Sequence, residues 1–337
     1  MDEFEARIRA ARPASVRRGA PLSSRAKREL AELILSEPDY SSSPAPGRVV
    51  HLGRQRKRQV VARAFTAVLV AAATVVAVVL HQPVYALTPN LLATTPVSVS
   101  APEALIRASE NLRASDAVEG DGEAPATSNA GVISVQAWTL SSTDDGAQVV
   151  SAIIPENYVI TRDHDGARTV VVTTGQAQHG DGSIVEDSDA EEGVLLWKES
   201  YLPGEYVYAF GSDAPTSPDE VGPFLSTVAG TDTSASAAIQ AIAVLLMEQS
   251  LASSQEAALL EYLSGLPDIS VVGQTTDRLG RPALVLSTPR ADGSHTDSIL
   301  ISPEHGTILA IETIYTGTDR TDVRTPAVIS YYAWNRN

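Results

Sequence analysis

The chain contains no cysteine, so disulfide staples, thiol catalysis, cysteine zinc sites and iron–sulfur clusters are excluded. Any domain it builds is held by its core alone. Aromatic residues make up only 5% of the 337 residues, and Trp138, Trp197 and Trp334 are too far apart in sequence to be read as a stacking platform. Strand core or rim packing accounts for each of them. Histidine is also scarce: of His51, His81, His164, His179, His295 and His305, no two have the spacing of a helical metal pair or a zincin motif. No GxSxG elbow, GxxxxGK phosphate loop or dinucleotide fingerprint occurs. The expectation is a non-enzymatic chain with no catalytic residue, metal or cofactor.

Charge is present but unevenly placed. The net value of −16 conceals a split, because residues 1–63 carry a net +7 and the remainder a net −23. Between the two lies Ala64–Leu80, AFTAVLVAAATVVAVVL, without a charged side chain, and Val60, Val61 and Ala62 lengthen it if Arg63 snorkels. About 20 apolar residues span a bilayer. A buried core helix would keep a polar stripe somewhere, whereas Ala, Val and Leu cover every face here. Residues 59–80 are therefore expected to be a transmembrane helix with the lipid bilayer as partner.

Arg54, Arg56, Lys57, Arg58 and Arg63 precede the segment, and the first acidic or basic residue after it is Glu103. The positive-inside rule then gives a single-pass signal-anchor in the cell membrane, N-terminus cytoplasmic and C-terminal domain extracellular. A cleaved signal peptide competes, since Val84-Tyr85-Ala86 would allow cleavage after Ala86, but the sixty-residue polar lead-in argues against it.

The cytoplasmic tail, 1–58, holds two short amphipathic stretches. In the first, Phe4, Ile8 and Ala11 share a stripe; in the second, Leu30, Leu33 and Ile34 face away from Arg25, Lys27, Arg28, Glu29 and Glu32 until Pro38 ends the pattern. So short a tail cannot close a core of its own. Leu30, Leu33 and Ile34 are its candidate partner-binding residues, for a cytoplasmic protein. No nucleic-acid partner is expected, because no aromatic residues or recognition-helix pattern accompany the basic cluster.

Beyond the span, 81–100 has the Pro, Thr and Ser content of a stalk, and 101–337 carries the folded part, with 101–211 and 218–337 as candidate subdomains. A helix is expected over Pro102–Ala114, with Ala104, Leu105, Ala108 and Leu112 on one side. Strands follow at 132–140, 149–154, 158–161, 169–174, 194–198 and 205–210, punctuated by Asp145-Gly146 and Asp165-Gly166, whose chemistry suits tight hairpin turns. Helical spacing returns at 219–228 and 234–251. A Ser253/Glu256 capping box then opens 255–264, with Gly265 as its C-terminal stop. Five more strands, 269–276, 283–287, 298–302, 307–315 and 327–334, complete the chain. Strands, then helices, then strands, without βαβ alternation, indicate an α+β fold: antiparallel sheet packed with helices in the external domain, plus one transmembrane helix and a short helical tail. The acidic stretch Asp181–Glu192 fails EF-hand spacing and reads as a solvated loop. Asp163-His164-Asp165-Gly166 reads as a turn.

Leu266-Pro267-Asp268-Ile269, Thr276-Asp277-Arg278-Leu279-Gly280-Arg281-Pro282 and Ile299 to Leu309 occupy the places of "LPGV", "TDxxGRxG" and "LxLDPxTGxLL" elements. In this the chain resembles actinobacterial single-pass membrane proteins often encoded beside extracytoplasmic-function sigma factors. The resemblance implies a membrane-tethered regulator with an anti-sigma-like layout, coupling the cell envelope to a cytoplasmic partner such as a sigma factor. The tail lacks the cysteines of zinc-binding anti-sigma domains, which leaves only a non-zinc docking mode. The alternative is a membrane-anchored external module for an apolar or cell-wall ligand. Replacing Leu30, Leu33 and Ile34 together by Asp should abolish capture of a cytoplasmic protein from native membranes while leaving membrane insertion intact; unchanged capture would remove these residues as the contact.

Overall fold

The structure, a computed structural model, describes residues 85–119, 131–140, 153–186, 188 and 190–336. The expected tail with Leu30, Leu33 and Ile34, the 59–80 segment and the Asp145-Gly146 turn lie outside the described residues. Among the described residues, no helix is long and apolar enough to cross a membrane.

A single sheet organises the fold. Its strands are β1 (Gly131–Thr139), β2 (Glu156–Arg162), β3 (Arg168–Thr174), β4 (Leu195–Tyr201), β5 (Ser270–Thr276), β6 (Pro282–Pro289), β7 (His295–Ile301), β8 (Ile308–Tyr315) and β9 (Ala327–Trp334). They lie in the order β4-β3-β2-β1-β9-β8-β7-β6-β5, every neighbour antiparallel. Two meanders are thus joined at one seam, where Val135 to Thr139 pair with Ser330 to Trp334. The turns follow the sequence: Gly166, Gly280, Gly293 and Gly306 adopt positive φ, which hairpin turns require and a Cβ opposes.

Among the described residues four helices accompany it: α1 (Ala101–Glu119), α2 (Pro218–Ala229), α3 (Ala235–Glu248) and α4 (Ser253–Ser264). α1 begins where Ser100 Oγ accepts the Glu103 N–H, and Ala104, Leu105, Ala108 and Leu112 are buried as their spacing requires. It packs on α4, while α3 lies over β6 and β7. Their apolar faces meet Leu284, Leu286, Ile299, Ile301, Ile308, Ile311 and Trp334 in one continuous core. The opposite face of the sheet holds Val285, Leu300, Leu309, Tyr331 and Trp138, covered by Leu87 and Leu92.

The described part of the expected stalk is therefore a strap on the domain. The Ala86 N–H donates to Asp322 O (2.6 Å), the Asn90 N–H to Gly180 O (2.6 Å), and Thr95 exchanges both backbone bonds with Gln274 on β5. Gly273 is required at that crossing, since a Cβ there would lie 2.5 Å from Thr95 O.

Three local expectations change. Residues 205–210 form no strand, because the Ala209 and Phe210 amides are taken by the Glu248 carboxylate at the end of α3. α4 starts after Ala252, whose N–H donates to Gln255 Oε1 (2.9 Å); Ser253 is already helical, and Glu256 is buried, accepting the Ile308 N–H and pairing with Arg336. Gly265 keeps an ordinary right-handed φ of −86°, and the left-handed residue after the helix is Asp268. Of the expected strand at 149–154, residues 149–152 lie outside the described residues, and Ile153 forms an isolated bridge to Gln178.

Buried charge ties the layers together. Asp297 accepts from Arg290, Ser236, Gln240 and Thr313. Its burial raises the carboxyl pKa, but these donors, Arg290 first, outweigh it and hold it below the usual range. A depressed native pKa stabilises the fold above the unfolded-state pKa of about 4 and is lost as pH falls through the native value. Asp297→Asn should therefore flatten the acid limb of the stability–pH curve measured by urea denaturation. Gly306→Ala should act at every pH, because its Cβ would meet Ala108 O at 2.1 Å in a left-handed conformation. We expect a loss of about 2–4 kcal/mol.

Candidate functional site

One rung of the sheet connects the core to the surface. On the helix-facing side, Trp334 of β9 pairs with Val135 of β1, Val135 with Tyr158 of β2, Tyr158 with Val172 of β3, and Val172 with Trp197 of β4. Trp334 is 2% exposed and its indole N–H donates to Leu246 O on α3, whereas Trp197 is 41% exposed. The helices cover one end of this rung and leave the other open. Met247 is the α3 residue that reaches the β2–β3 wing, against Ile160, Val170 and Val172. Trp197 meets Tyr158 edge-on, with ring centroids 6.2 Å apart.

β4 is the free edge of the sheet. All but its last residue are exposed, and Val194, Leu195, Leu196 and Trp197 present apolar side chains to solvent. The register shift at Val172/Thr173 and the charge of Lys198 are devices that discourage edge-to-edge pairing. The chain after β4 folds back under electrostatic control. Arg168, 4% exposed, donates to Met247 O (3.0 Å) and Glu248 O (3.4 Å) at the C-terminal end of α3, where a cation complements the helix dipole. The rings of Tyr206 and Tyr208 lie over that guanidinium at 4.3 and 5.5 Å, so the loop is clamped to α3.

Next to this wing is a cavity of about 400 Å³, within the range of small-molecule sites. Leu87, Trp138, Leu140, Ile154, Glu156, Tyr158 and Tyr332 are among its walls. β1 and β9 bring Trp138 and Tyr332 to it, and β2 brings Glu156 and Tyr158. The Tyr158 hydroxyl donates to Glu156 Oε2 (2.6 Å). Partial burial, then this bond and the adjacent carboxylate charge, raise the Tyr158 pKa far above a free phenol, so the hydroxyl stays protonated. Among the described residues nothing donates to Glu156 Oε1. The cavity thus joins apolar and aromatic walls to one carboxylate.

No family model and no curated protein matches the chain. One solved structure, the dehydratase domain from the CurK module of curacin polyketide synthase, aligns with 75% of this chain and 95% of its own at 10% identity. Its TM-score is 0.14, too low to bear on fold or activity.

The residues noted in the sequence are scattered. Asp163-His164-Asp165-Gly166 forms the β2–β3 turn, with Gly166 at φ 86°. In the acidic stretch, Asp181 accepts the Ser183 N–H and hydroxyl. Among the described residues, no three His, Cys, Asp or Glu side chains gather as for a metal ion. Glu156, Tyr158 and Tyr332 drew no attention, because Glu-x-Tyr at a strand start is ordinary and Tyr332 is 174 positions beyond Tyr158 in sequence. The two ends of the rung, one buried and one exposed, give a direct check. Trp334→Ala should cost about 3–5 kcal/mol in urea denaturation and Trp197→Ala about 1 kcal/mol or less.

Proposed function

We propose that the chain is a non-enzymatic, membrane-tethered receptor whose external domain engages an apolar group of the cell envelope and whose basic tail passes the state of that domain to a cytoplasmic protein. The observation that carries the external half is the Trp334-to-Trp197 rung: apolar side chains that are core at β9 are open to solvent at β4. Apolar patches of this kind, rimmed by charge, mark interaction sites. Over β6–β8 the space between sheet and helices is filled by side chains, so a ligand is left the β2–β4 wing and the adjoining cavity.

The cytoplasmic half rests on sequence: the 59–80 segment, the basic flank before it, and the apolar spacing of Leu30, Leu33 and Ile34. A sigma factor is the partner that the family resemblance names. The alternative, an external binding module for which 59–80 is only an anchor, uses the same wing and differs in needing no tail contact.

Two measurements separate these readings. On intact protoplasts bearing a tag at each end, external protease should remove only the C-terminal tag; release of a free external domain without added protease would mean processing near Ala86 and end the coupling. In native membranes, deletion of 1–58 should abolish capture of one cytoplasmic protein. If capture does not depend on the tail, the anchored-module reading stands in its place.

A further inference from the structure

The cavity beside the wing contains a feature that a purely apolar site does not need. Glu156 places a carboxylate on the helix-facing side of the sheet in one rung with Tyr332 and next to Tyr158, while Trp138 lines the cavity from the other face, and only one of its oxygens is engaged, by Tyr158. Among the described residues no Arg or Lys pairs with it, although neighbouring carboxylates elsewhere in the domain are paired: Asp277 with Arg281, Glu312 with Arg278 and Asp297 with Arg290. A partly buried carboxylate without a cation beside two aromatic rings is an electrostatic preference waiting for a positive ligand. Ring faces are negative, so they stabilise a cation whose charge is spread over methyl or methylene groups while packing against its apolar surface. The protein beyond residue 63, at net −23, raises the local concentration of cations.

We infer that this cavity binds an organic ammonium group, with Glu156 as counter-ion and Tyr158 and Tyr332 as the aromatic walls beside it. A metal cation is the wrong class, since one carboxylate and two phenol rings offer too few oxygen ligands. An anion would meet Glu156 directly. A neutral apolar molecule would fill the walls but leave the carboxylate without a counter-charge. The inference deepens the receptor reading and rests on it only in treating the external domain as ligand-binding. The ammonium has two chemical sources, a soluble amine or the amine headgroup of a lipid.

The test uses the full chain in nanodiscs of phosphatidylglycerol, which carry no amine. Choline and its neutral isostere 3,3-dimethylbutan-1-ol are titrated separately while tryptophan emission is followed. Choline should bind at least about tenfold more tightly than the isostere. Glu156→Gln should erase that preference while leaving isostere binding unchanged. Repeating the choline titration with phosphatidylethanolamine in the nanodisc separates the sources: competition identifies a headgroup ligand, and an unchanged curve a soluble one.

Equal affinities for choline and the isostere would overturn the ammonium assignment yet leave an apolar ligand in place. Binding of neither would remove the cavity from the receptor reading altogether, while the wing remains testable through Trp197. Both outcomes are read on the unmodified protein, so a folding defect in Glu156→Gln cannot obscure them.

Discussion

Five residue pairs between β1 and β9 hold the domain together. Val135 and Trp334 are separated by almost the whole folded chain, and their ladder turns two hairpin meanders into one nine-stranded sheet. Closing so long a loop costs entropy that grows only slowly with length, but no local contact offsets it until the ladder forms. The offset comes from either side of the seam. Trp334, Val135 and Ala137 enter the helix-facing core, Trp138, Tyr331 and Ala333 enter the core beneath the strap, and the Trp334 indole is bonded to α3. α2, α3 and α4 lie between the meanders in sequence, so their docking depends on the same closure.

The two sheet edges are treated differently, and the difference locates the candidate site. At β5 the strap pairs with Gln274 and closes the edge, at the cost of a glycine at position 273. At β4 no strand is added among the described residues, and a register shift and Lys198 stand in for pairing. Polar clamps then fix what packing does not: Arg168 and Glu248 bind the loop after β4 to the end of α3 through backbone carbonyls and amides. A wing secured by hydrogen bonds at its margin can keep an apolar surface uncovered without losing its place.

Local chemistry made much of the fold legible in the sequence. Asp165-Gly166, Asp292-Gly293 and Gly306 mark turns because few residues other than glycine tolerate their φ, and the α1 stripe of Ala104, Leu105, Ala108 and Leu112 is a periodicity that any buried helix must show. What escaped was set by distant partners. Tyr206 to Phe210 alternates like a strand, but its amides are claimed by a carboxylate some forty residues later, and its tyrosines lie over an arginine some forty residues earlier. Glu256 looked like a cap and is instead a buried ion-pair member, because Arg336 and Ile308 come to it from the end of the chain. The cavity is of the same kind. Its walls come from three separate stretches, 86–87, 137–158 and Tyr332, which only the β1–β9 ladder and the strap bring together.

The strap gives the fold a mechanical polarity. Traction applied from the N-terminal side of residue 86 falls first on the Ala86–Asp322 bond, then on Asn90, held by Gly180 and Arg278, and only afterwards on Ala93 and Thr95, held by Thr275 and Gln274. These attachments are loaded one after another rather than together, so the strap would peel from the sheet in steps. Peeling would also lift Leu87 out of the cavity wall and Leu92 off Tyr331 and its neighbours, so that tension on the chain and the shape of the cavity are properties of the same few residues.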